Sequence, residues 1–431
     1  MRFCIYISSG VLYLDKYIIN GGKKLGGRLR VHGAKNAVLP IMAATVLSGD
    51  VCRVYDCPEL SDVKNTINIL NTLGCNVNFE DGILTVDSSE INNWEIPEDM
   101  MREMRSSIIF MGALAGKMGR ARLCAPGGCE LGNRPIDIHL KSLRELGVEI
   151  REENGFIEIN CERMHPGDIH LSFPSVGATE NVMMAAVGLH GTTLVHNAAR
   201  EPEIVDLQNF LCAMGAKVSG AGTHTIAIEG VKRLHGVAYT PMPDRIVAGT
   251  LLAAAAATGG NVRLRNVPVQ DLYAVFAKLR EMGCIIDEEV DAVTLHAPER
   301  LRAFHQLQTQ PHPGFPTDMQ VQMLALAVRA QGTSVVVENV FENRFTHAGD
   351  LNRMGADVMV NGRTAIVKGV DRLYGARVAA RDLRGGAALT IAGLQAEGET
   401  LVEHVELIDR GYDKLEQMLS ALGADVCRTD T

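Results

Sequence analysis

The hydrophobic pattern of the chain alternates between two kinds of predicted helix, each followed by short strands. Residues 176–191 and 246–258 are apolar on nearly every side, which predicts helices that are buried all round. Residues 203–215 carry polar positions along one face, which predicts an outer helix. A short strand is predicted after the first kind of helix, at 192–198, and a hairpin-like pair of strands after the second, at 216–230. The pattern therefore predicts an α/β fold.

This order of elements recurs six times. Leu or Met followed by Gly closes each outer helix, and the glycines of this tag are Gly74, Gly147, Gly215, Gly283, Gly355 and Gly423. The gaps between them are 73, 68, 68, 72 and 68 residues, and such even spacing is typical of an internally repeated structure. We therefore expect six copies of one helix–strand unit.

The last of the six units is incomplete. It ends at residues 421–431 without a final strand, whereas residues 15–22 form a strand-like segment without a partner ahead of unit one. Pairing these ends predicts two globular halves of three units each, residues 1–34 with 243–431 and residues 35–242. A cleft between such halves is the expected place for a substrate site. Residues 1–13 are interpreted as an extension ahead of the true start.

Composition and charge narrow the function classes. The 431 residues are 46% hydrophobic and 22% charged, and 42 basic against 51 acidic residues give a net charge of −9. This balance argues against broad binding to nucleic acid or to an anionic membrane. The longest uncharged apolar run, residues 246–258, is shorter than the roughly 20 residues that a membrane-spanning helix needs. The ten cysteines lack zinc-ligand spacing, so we expect reduced thiols in a cytoplasm and no metal.

Charged and polar residues recur at equivalent places in the repeat. A cation just before a helix opposes the helix dipole at a cost of up to about 1 kcal/mol, so its repetition needs a reason. An anionic ligand supplies one, because free backbone N–H groups and arginine side chains together bind phosphate and carboxylate. The alternative at each site is pairing with a local acid, as of Arg384 with Asp382. The residues at or before inner helices are Lys35, Asn36, Arg105, Ser175 to Gly177, Asp318 and Arg384, and those before outer helices are Arg134, Arg344 and Arg410.

Motifs for other kinds of site are incomplete. Gly27 stands where a phosphate-binding P-loop requires lysine, and residues 220–222 lack the third glycine of a dinucleotide fingerprint. No GxSxG elbow is present. Asp137 and His139 do not form a hydrolase pair with Cys129, because residues two apart at the start of a helix point in different directions.

Eight motifs make the chain similar to the bacterial enolpyruvyl transferases. They are GAKNAVLP (33–40), MRSS (104–107), PGGCELGNRPIDIH (126–139), SVGATEN (175–181), FPTDMQ (315–320), FENRF (341–345), DLRGG (382–386) and IDRGY (408–412). The resemblance runs from residue 15 to the C-terminus. Its PGGC loop is similar to the loop found in the branch of the family that uses UDP-N-acetylglucosamine rather than shikimate 3-phosphate.

The resemblance implies a two-domain inverted α/β barrel of six repeated units. It implies transfer of the enolpyruvyl group of phosphoenolpyruvate to the 3-hydroxyl of UDP-N-acetylglucosamine, with release of phosphate, as the first step of peptidoglycan precursor synthesis. These two small molecules are the expected partners, and neither a metal nor an organic cofactor is expected.

The same resemblance assigns roles to single residues. Cys129, in the loop 125–135, is expected to be the general acid toward the methylene carbon of phosphoenolpyruvate and the target of fosfomycin. Asp318 is expected to bind the sugar 3-hydroxyl as a base, and Asp382 to be a second acid at the reacting centre. The cations assigned to phosphoenolpyruvate are Lys35, Arg105, Arg134, Arg344, Arg384 and Arg410, with Lys35 and Arg410 also assigned to catalysis. The residues assigned to the UDP-sugar are Asn36, Arg105, Arg134, Asp137, His139, Ser175, Val176, Gly177, Asp318 and Val340.

The loop composition fits this chemistry. A thiol whose pKa is tuned by nearby arginines can protonate a vinyl carbon, and Gly127 and Gly128 are expected to let the loop close over substrates. Phe173 and Pro174 stand where some members of the family have a lysine and a valine, which removes one cation from the nucleotide site. Two alternatives stay open: a shikimate-type enolpyruvyl transferase, and a catalytically silent relative that binds UDP-N-acetylglucosamine as a sensor.

Overall fold

The computed structural model describes residues 15–124 and 136–429, and only the backbone of Arg102, Glu103 and Arg105. Within these ranges the helices are α1 (Lys35–Ala44), α2 (Ser61–Thr72), α3 (Glu98–Glu103), α4 (Phe110–Met118), α5 (Asp137–Glu145), α6 (Val176–Ala186), α7 (Pro202–Ala213), α8 (Arg245–Ala257), α9 (Tyr273–Glu281), α10 (Thr317–Ala327), α11 (Ala348–Arg353), α12 (Leu383–Leu394) and α13 (Leu415–Ala421). Short 3-10 helices lie at Thr45–Leu47, Arg105–Ile109, Val269–Leu272 and Val405–Leu407.

The strands of the same ranges form six sheets. They are β1 (Lys16–Asn20), β2 (Gly26–Arg30), β3 (Val51–Val54), β4 (Asn76–Glu80), β5 (Ile83–Asp87), β6 (Glu95–Ile96), β7 (Arg120–Cys124), β8 (Glu149–Glu153), β9 (Phe156–Asn160), β10 (Asp168–His170), β11 (Thr192–His196), β12 (Lys217–Ser219), β13 (Thr225–Glu229), β14 (Ala238–Tyr239), β15 (Asn261–Arg265), β16 (Ile285–Glu288), β17 (Ala292–His296), β18 (Gln306–Gln308), β19 (Thr333–Val337), β20 (Asp357–Asn361), β21 (Thr364–Lys368), β22 (Arg377–Ala379), β23 (Glu399–Glu403) and β24 (Asp425–Thr429).

Each unit contains one buried helix, one outer helix and one four-stranded sheet, and unit two contains the short helix α3 in addition. In unit two, for example, β7 follows the inner helix α4, pairs parallel with the short edge strand β6, and pairs antiparallel with β9 of the β8–β9 hairpin. All six sheets repeat this order of an edge strand followed by three antiparallel strands. The inner helices are α1, α4, α6, α8, α10 and α12, and the outer helices are α2, α5, α7, α9, α11 and α13. The predicted sixfold repeat is confirmed.

The tag glycines end the outer helices for a stereochemical reason. Gly74, after α2, has a φ of 96°, and Gly215, after α7, has a φ of 98°. This left-handed backbone is rarely adopted by residues with a Cβ and is the usual geometry of a helix end. The N–H of Cys75 then donates to the carbonyl of Leu70 at 3.0 Å, which satisfies a carbonyl that the helix end leaves free. The repeated glycine therefore marks the end of each outer helix.

Strand β1 completes unit six. It lies between β23 and β24 and is antiparallel to both, with Ile18 opposite Leu401 on one side and Cys427 on the other. Tyr17 and Ile19 are fully buried beneath the sheet, as expected where alternate residues of a strand face the core. The predicted pairing of the N-terminal strand with the incomplete last unit is confirmed.

The hydrophobic residues form two separate cores. One core is built from residues 34–234, and the other from residues 17–31 together with 246–426. The chain crosses between the halves twice, and the crossings are joined where Ala34 N–H donates to Met242 O at 2.8 Å and Asp244 N–H to His32 O at 2.9 Å. No helix in the described ranges is long and apolar enough to cross a membrane.

Helix α8 shows why an inner helix is buried: its residues are apolar on nearly every side. Helix α8 is rich in alanine, a strong helix former, and it is buried from Arg245 to Ala256. Asp244 caps it by accepting from the N–H groups of Ile246 and Val247 at 2.8 and 2.9 Å, which fixes its first turn. The predicted burial of the run 246–258 is confirmed as far as Ala256.

The start of the inner helix in unit two is irregular. The sequence places Arg105 just before or at the start of that helix, and residues Arg105–Ile109 form a 3-10 helix that leads directly into α4 at Phe110. The hydroxyl of Ser107 donates to the carbonyl of Met104, and such a local bond competes with α-helical hydrogen bonding.

Candidate active site

A cavity of about 660 Å³ lies in the cleft between the two halves. Both halves line it, because its wall is built from the starts of α1, α5, α6, α8 and α10 and from the loops beside them. The predicted sugar-nucleotide residues on this wall are Asn36, Asp137, His139, Ser175, Val176, Gly177, Asp318 and Val340. The structure therefore brings together eight residues that are spread over more than 300 positions of sequence.

The start of helix α6 presents backbone N–H groups to this cavity. Ser175 caps the helix through its hydroxyl, which accepts from Ala178 N–H at 3.4 Å. In the described chain the N–H groups of Val176 and Gly177 donate to no protein acceptor, and both residues line the cavity. Free N–H groups at the positive end of a helix dipole favour phosphate. Phe173 and Pro174, the two residues that differ from the family pattern, lie on the same wall of the cavity, next to the start of α6.

His139 packs against this turn and is neutral. A Cβ at Gly177 would lie 2.7 Å from Cε1 of His139, so only glycine allows the imidazole to approach this closely. His139 Nδ1 lies 2.8 Å from the side-chain nitrogen of Asn181. Burial lowers the pKa of His139 to about 4, with the Asp137 charge acting in the opposite direction. A neutral imidazole here serves packing and hydrogen bonding.

Asp318 forms ion pairs with two buried arginines on the other side of the cavity. Its Oδ1 accepts from Arg344 Nη2 at 3.1 Å, and its Oδ2 accepts from Arg384 Nη2 at 3.0 Å. The arginine side chains are only 2% and 3% exposed, whereas that of Asp318 is 26% exposed. Burial alone would raise the pKa of Asp318, but Arg384 and Arg344 outweigh it and hold that pKa well below its usual range. Asp318 is therefore ionised.

Asp382 and Arg384 are not partners through their side chains. Asp382 caps helix α12 by accepting from the backbone N–H groups of Arg384 and Gly385, both at 3.0 Å, and it also accepts from Thr346 Oγ1 at 3.2 Å. The guanidinium of Arg384 turns to Asp318 instead. Local pairing between Arg384 and Asp382, the alternative offered by the sequence, is therefore wrong, because the capped helix turn directs the guanidinium away from Asp382.

A second charged cluster adjoins the first. Lys35 Nζ lies 2.6 Å from Oδ2 of Asp62, and Arg410 Nε donates to Oδ1 of the same carboxylate at 2.9 Å. Lys35 precedes the cavity residue Asn36 on α1, and the charge of Arg384 acts on it. The predicted cations Lys35, Arg344, Arg384 and Arg410 thus form two neighbouring groups beside the cavity, each centred on one acid.

Several assigned residues cannot be placed. Cys129 and Arg134 lie outside the described residues, as does the whole loop 125–135. Only the backbone of Arg105 is described, within its 3-10 helix. Their assigned roles stay predictions.

Sequence reasoning missed three acids and one base in the cleft. Asp62 is one, and its signal was its place in the first turn of an outer helix, equivalent to the arginines that were found. Arg245 pairs with Glu203 across the cleft, with Nε and Nη2 at 2.9 and 3.1 Å from the two carboxylate oxygens. Glu180 is 4% exposed on the cavity wall. The available signal for Arg245, Glu203 and Glu180 was that each is a charged residue in or next to an apolar stretch of the sequence.

Comparison with known proteins agrees with this architecture. A sequence model of the family described as EPSP synthase (3-phosphoshikimate 1-carboxyvinyltransferase) matches residues 19–419. A relative from Caldanaerobacter subterraneus subsp. tengcongensis, named UDP-N-acetylglucosamine 1-carboxyvinyltransferase 2, is 51% identical over 415 residues, which cover 96% of this chain and 100% of the relative.

Solved structures show the same fold. The enolpyruvyl transferase NikO from Streptomyces tendae is 26% identical, with a TM-score of 0.87 over 96% of this chain and 99% of that one. An EPSP synthase from Acinetobacter baumannii has a TM-score of 0.73 over 96% of this chain and 100% of that one, at 18% identity. The resemblance to the enolpyruvyl transferases is thus confirmed, and the chain belongs to this family, whose sequence model is that of EPSP synthase (3-phosphoshikimate 1-carboxyvinyltransferase).

Proposed function

We propose that the protein transfers the enolpyruvyl group of phosphoenolpyruvate to the 3-hydroxyl of UDP-N-acetylglucosamine and releases phosphate. The observation that carries this proposal is that unpaired helix N–H groups line one cavity and a group of buried cations lies beside it. The start of α6 offers free N–H groups for a diphosphate, and the cations around Asp62 and Asp318 suit a small, highly charged anion. The name of the relative that is 51% identical supports UDP-N-acetylglucosamine as the acceptor.

The reaction exchanges one bond to oxygen for another. The sugar oxygen forms a bond to C2 of phosphoenolpyruvate, the bond from C2 to the phosphate oxygen breaks, and the hydroxyl proton ends on the released phosphate. Lys35, Arg344, Arg384 and Arg410 hold the phosphate and carboxylate of phosphoenolpyruvate. Cys129, for which the sequence resemblance is the support, protonates the methylene carbon as C2 is attacked, and that carbon returns a proton as phosphate leaves.

Asp318 orients the sugar hydroxyl. Its carboxylate lies on the cavity wall and is ionised, so it can accept a hydrogen bond from the 3-hydroxyl. While both arginines pair with it, Asp318 is a weak base, because a low pKa means a low affinity for the proton. A substrate anion that drew Arg344 and Arg384 toward itself would raise the pKa of Asp318 and make it a stronger base.

The wider context of the activity is part of the same proposal. The domains are residues 1–34 with 243–431 and residues 35–242, which is supported by the two cores. The reaction is the first committed step of peptidoglycan precursor synthesis and takes place in the cytoplasm. Seven cysteines in the described ranges are free thiols, which supports a reducing compartment; they are Cys52, Cys57, Cys75, Cys161, Cys212, Cys284 and Cys427.

Phosphate release tests the function. Phosphoenolpyruvate is supplied with and without UDP-N-acetylglucosamine, before and after treatment with fosfomycin, and sugar-dependent release that the drug abolishes is expected. Binding of the sugar nucleotide without release would favour the silent relative. Turnover of shikimate 3-phosphate without turnover of UDP-N-acetylglucosamine would favour the shikimate-type enzyme.

A further inference from the structure

A buried carboxylate joins two cations that come from opposite halves of the protein. Asp62 lies in the first turn of α2 and its side chain is 1% exposed. It accepts from Lys35, which belongs to the same half, at 2.6 Å. It also accepts from Nε and Nη2 of Arg410, which belongs to the other half, at 2.9 and 3.4 Å.

Holding the two halves together does not require this carboxylate. Ser61 N–H donates to the carbonyl of Asp409 at 3.1 Å, directly beside the pair. Glu59 N–H donates to the carboxylate of Asp413 at 3.0 Å, and Lys414 Nζ lies 3.1 Å from the Glu59 carboxylate. The start of α2 is also anchored by Leu60 and Val63, both fully buried. Since burying a carboxylate is unfavourable by itself, its position here needs another reason.

We propose that Asp62 is a positioning residue that holds Lys35 and Arg410, against their mutual repulsion, in the arrangement that binds the phosphoenolpyruvate anion, an inference that rests on the proposed function. Asp62 does not touch the reacting atoms. It acts through the two cations, and it gives them a fixed separation before the substrate arrives.

The cations keep donors free for a ligand. An ammonium group has three N–H donors and a guanidinium has five. In the described chain Asp62 is the one carboxylate within ion-pair distance of Lys35 Nζ, and Nη1 of Arg410 donates to no protein acceptor. The Arg410 side chain is 34% exposed, so its donors are accessible, whereas the Lys35 side chain is 9% exposed. The cluster carries a net positive charge of one, and the nearby Arg384 increases its attraction for an anion.

The charges that act on Lys35 give the inference a pH signature. Burial lowers the pKa of Lys35, the Asp62 carboxylate raises it, and Arg410 and Arg384 lower it further. Asp244, which accepts from the backbone N–H of Lys35 at 3.1 Å, lies on the remaining side. Asp62 itself is ionised, because Lys35 and Arg410 outweigh the effect of burial and lower its pKa. Removal of the Asp62 charge therefore makes Lys35 lose its proton at a lower pH.

The test compares three variants of the full chain. Asp62→Asn keeps the shape and removes the charge. Asp62→Glu keeps the charge and moves it by one methylene. Glu59→Gln is the matched control, because Glu59 lies three residues away and also pairs across the two halves, with Lys414, but on the exposed surface. For each variant the KM for both substrates and kcat are measured by phosphate release, from about pH 6 to about pH 10, a range that includes the ordinary pKa of lysine.

Asp62→Asn is expected to raise the KM for phosphoenolpyruvate by about tenfold to 100-fold, as small displacements of binding groups do. Its KM for UDP-N-acetylglucosamine should change by less than about threefold, because Lys35 and Arg410 are assigned to phosphoenolpyruvate and not to the sugar nucleotide. The alkaline limb of kcat/KM for phosphoenolpyruvate should move to lower pH. Glu59→Gln should match the wild type in all three respects.

Other outcomes overturn the inference. A wild-type KM and an unmoved alkaline limb in Asp62→Asn would show that Asp62 does not position the cations. An equal loss in Glu59→Gln would show that bridging the halves is what matters. If Asp62→Asn does not fold, as judged by its thermal transition, Asp62→Glu decides: a raised KM for phosphoenolpyruvate with an unmoved alkaline limb supports the role, and an unchanged KM rejects it. A wild-type protein that releases no phosphate at all would instead reject the proposed function.

Discussion

Arg384 donates both Nε and Nη2 to a single oxygen of Asp318, at 3.3 and 3.0 Å. The Cζ atom of this guanidinium lies 5.2 Å from the centre of the Tyr412 ring. The pair joins helix α12 to the start of α10 in the same half of the protein. A cation held in this way can bind a substrate anion without first being ordered, which reduces the entropic cost of binding.

Asp318→Asn is expected to reduce both activity and stability. The variant leaves Arg344 and Arg384 buried without a counter-charge, which should lower the free energy of unfolding by about 2 kcal/mol or more. The lost acceptor should lower kcat by about 100-fold or more. Denaturant unfolding and phosphate release measure the two effects.

Asp425→Asn provides the control for that experiment. Asp425 pairs with Lys23 at 3.0 Å, but both side chains are about half exposed, so its loss should leave the free energy of unfolding close to that of the wild type. Equal destabilisation by the two variants would contradict a special role for the buried cluster.

The stabilising effect of Asp318 should depend on pH in one direction. Its pKa in the folded protein is depressed by Arg384 and Arg344 despite burial, so its contribution is fully present above the unfolded pKa and is lost as the pH falls. The difference in unfolding free energy between wild type and Asp318→Asn should therefore be constant above about pH 5 and shrink below about pH 4. A difference that grows on acidification would contradict the depressed pKa.

Much of the fold could be predicted because its signals are local. The apolar run of α8 predicts a buried helix from neighbouring residues alone, and the tag glycine at Gly215 reflects the backbone angle of a single position. The strand β1 was predicted to pair with the last unit because a repeat with a missing strand has one vacant place. The 3-10 form of the residues before α4 was not predicted, because the hydrogen bond from Ser107 to Met104 that accompanies it has no signal in the local hydrophobic pattern.

The candidate site was predictable only in part. Arginines before helices stand out in the sequence because they oppose the helix dipole, and the motifs of the family predict roles for them. Their partners do not stand out: Asp62 and Arg410 are 348 residues apart, and an acid in the first turn of a helix is ordinarily favourable. Arg245 and Glu203 likewise pair across the cleft from distant positions. Contacts between halves depend on how the two halves meet, which no local pattern records.

Gly177→Ala tests the close packing at the proposed nucleotide end of the cleft. Alanine normally stabilises a helix relative to glycine by about 0.5–1 kcal/mol, but here a Cβ would lie 2.7 Å from His139. The displaced imidazole should raise the KM for UDP-N-acetylglucosamine by about tenfold, as expected for 1–3 kcal/mol of overpacking. The KM for phosphoenolpyruvate should stay close to that of the wild type.

Gly188→Ala is the matched control for Gly177→Ala. Gly188 follows the same helix α6, and a Cβ there would have nothing within 4 Å. The KM for UDP-N-acetylglucosamine should then be unchanged. An unchanged KM in Gly177→Ala as well would show that His139 and this turn do not shape the nucleotide site.

Glu180→Gln tests whether a buried carboxyl group limits stability at neutral pH. Burial, followed by the charges of Glu203 and Glu201, raises the pKa of Glu180 well above its ordinary value. As the pH rises above the unfolded pKa, the unfolded chain releases this proton while the folded protein keeps it, so folding loses stability. Glutamine carries no proton to release. The variant should therefore gain stability relative to the wild type as the pH rises from about 4.5 toward neutral, with a difference on the order of 1 kcal/mol, or about 2–4 °C in Tm.

The control Glu229→Gln removes an exposed carboxylate that pairs with Lys217 and should show no such rise. Thermal unfolding at several pH values measures both variants, and a Glu180→Gln protein whose Tm falls relative to wild type with rising pH would show that the folded state gains from an ionised Glu180.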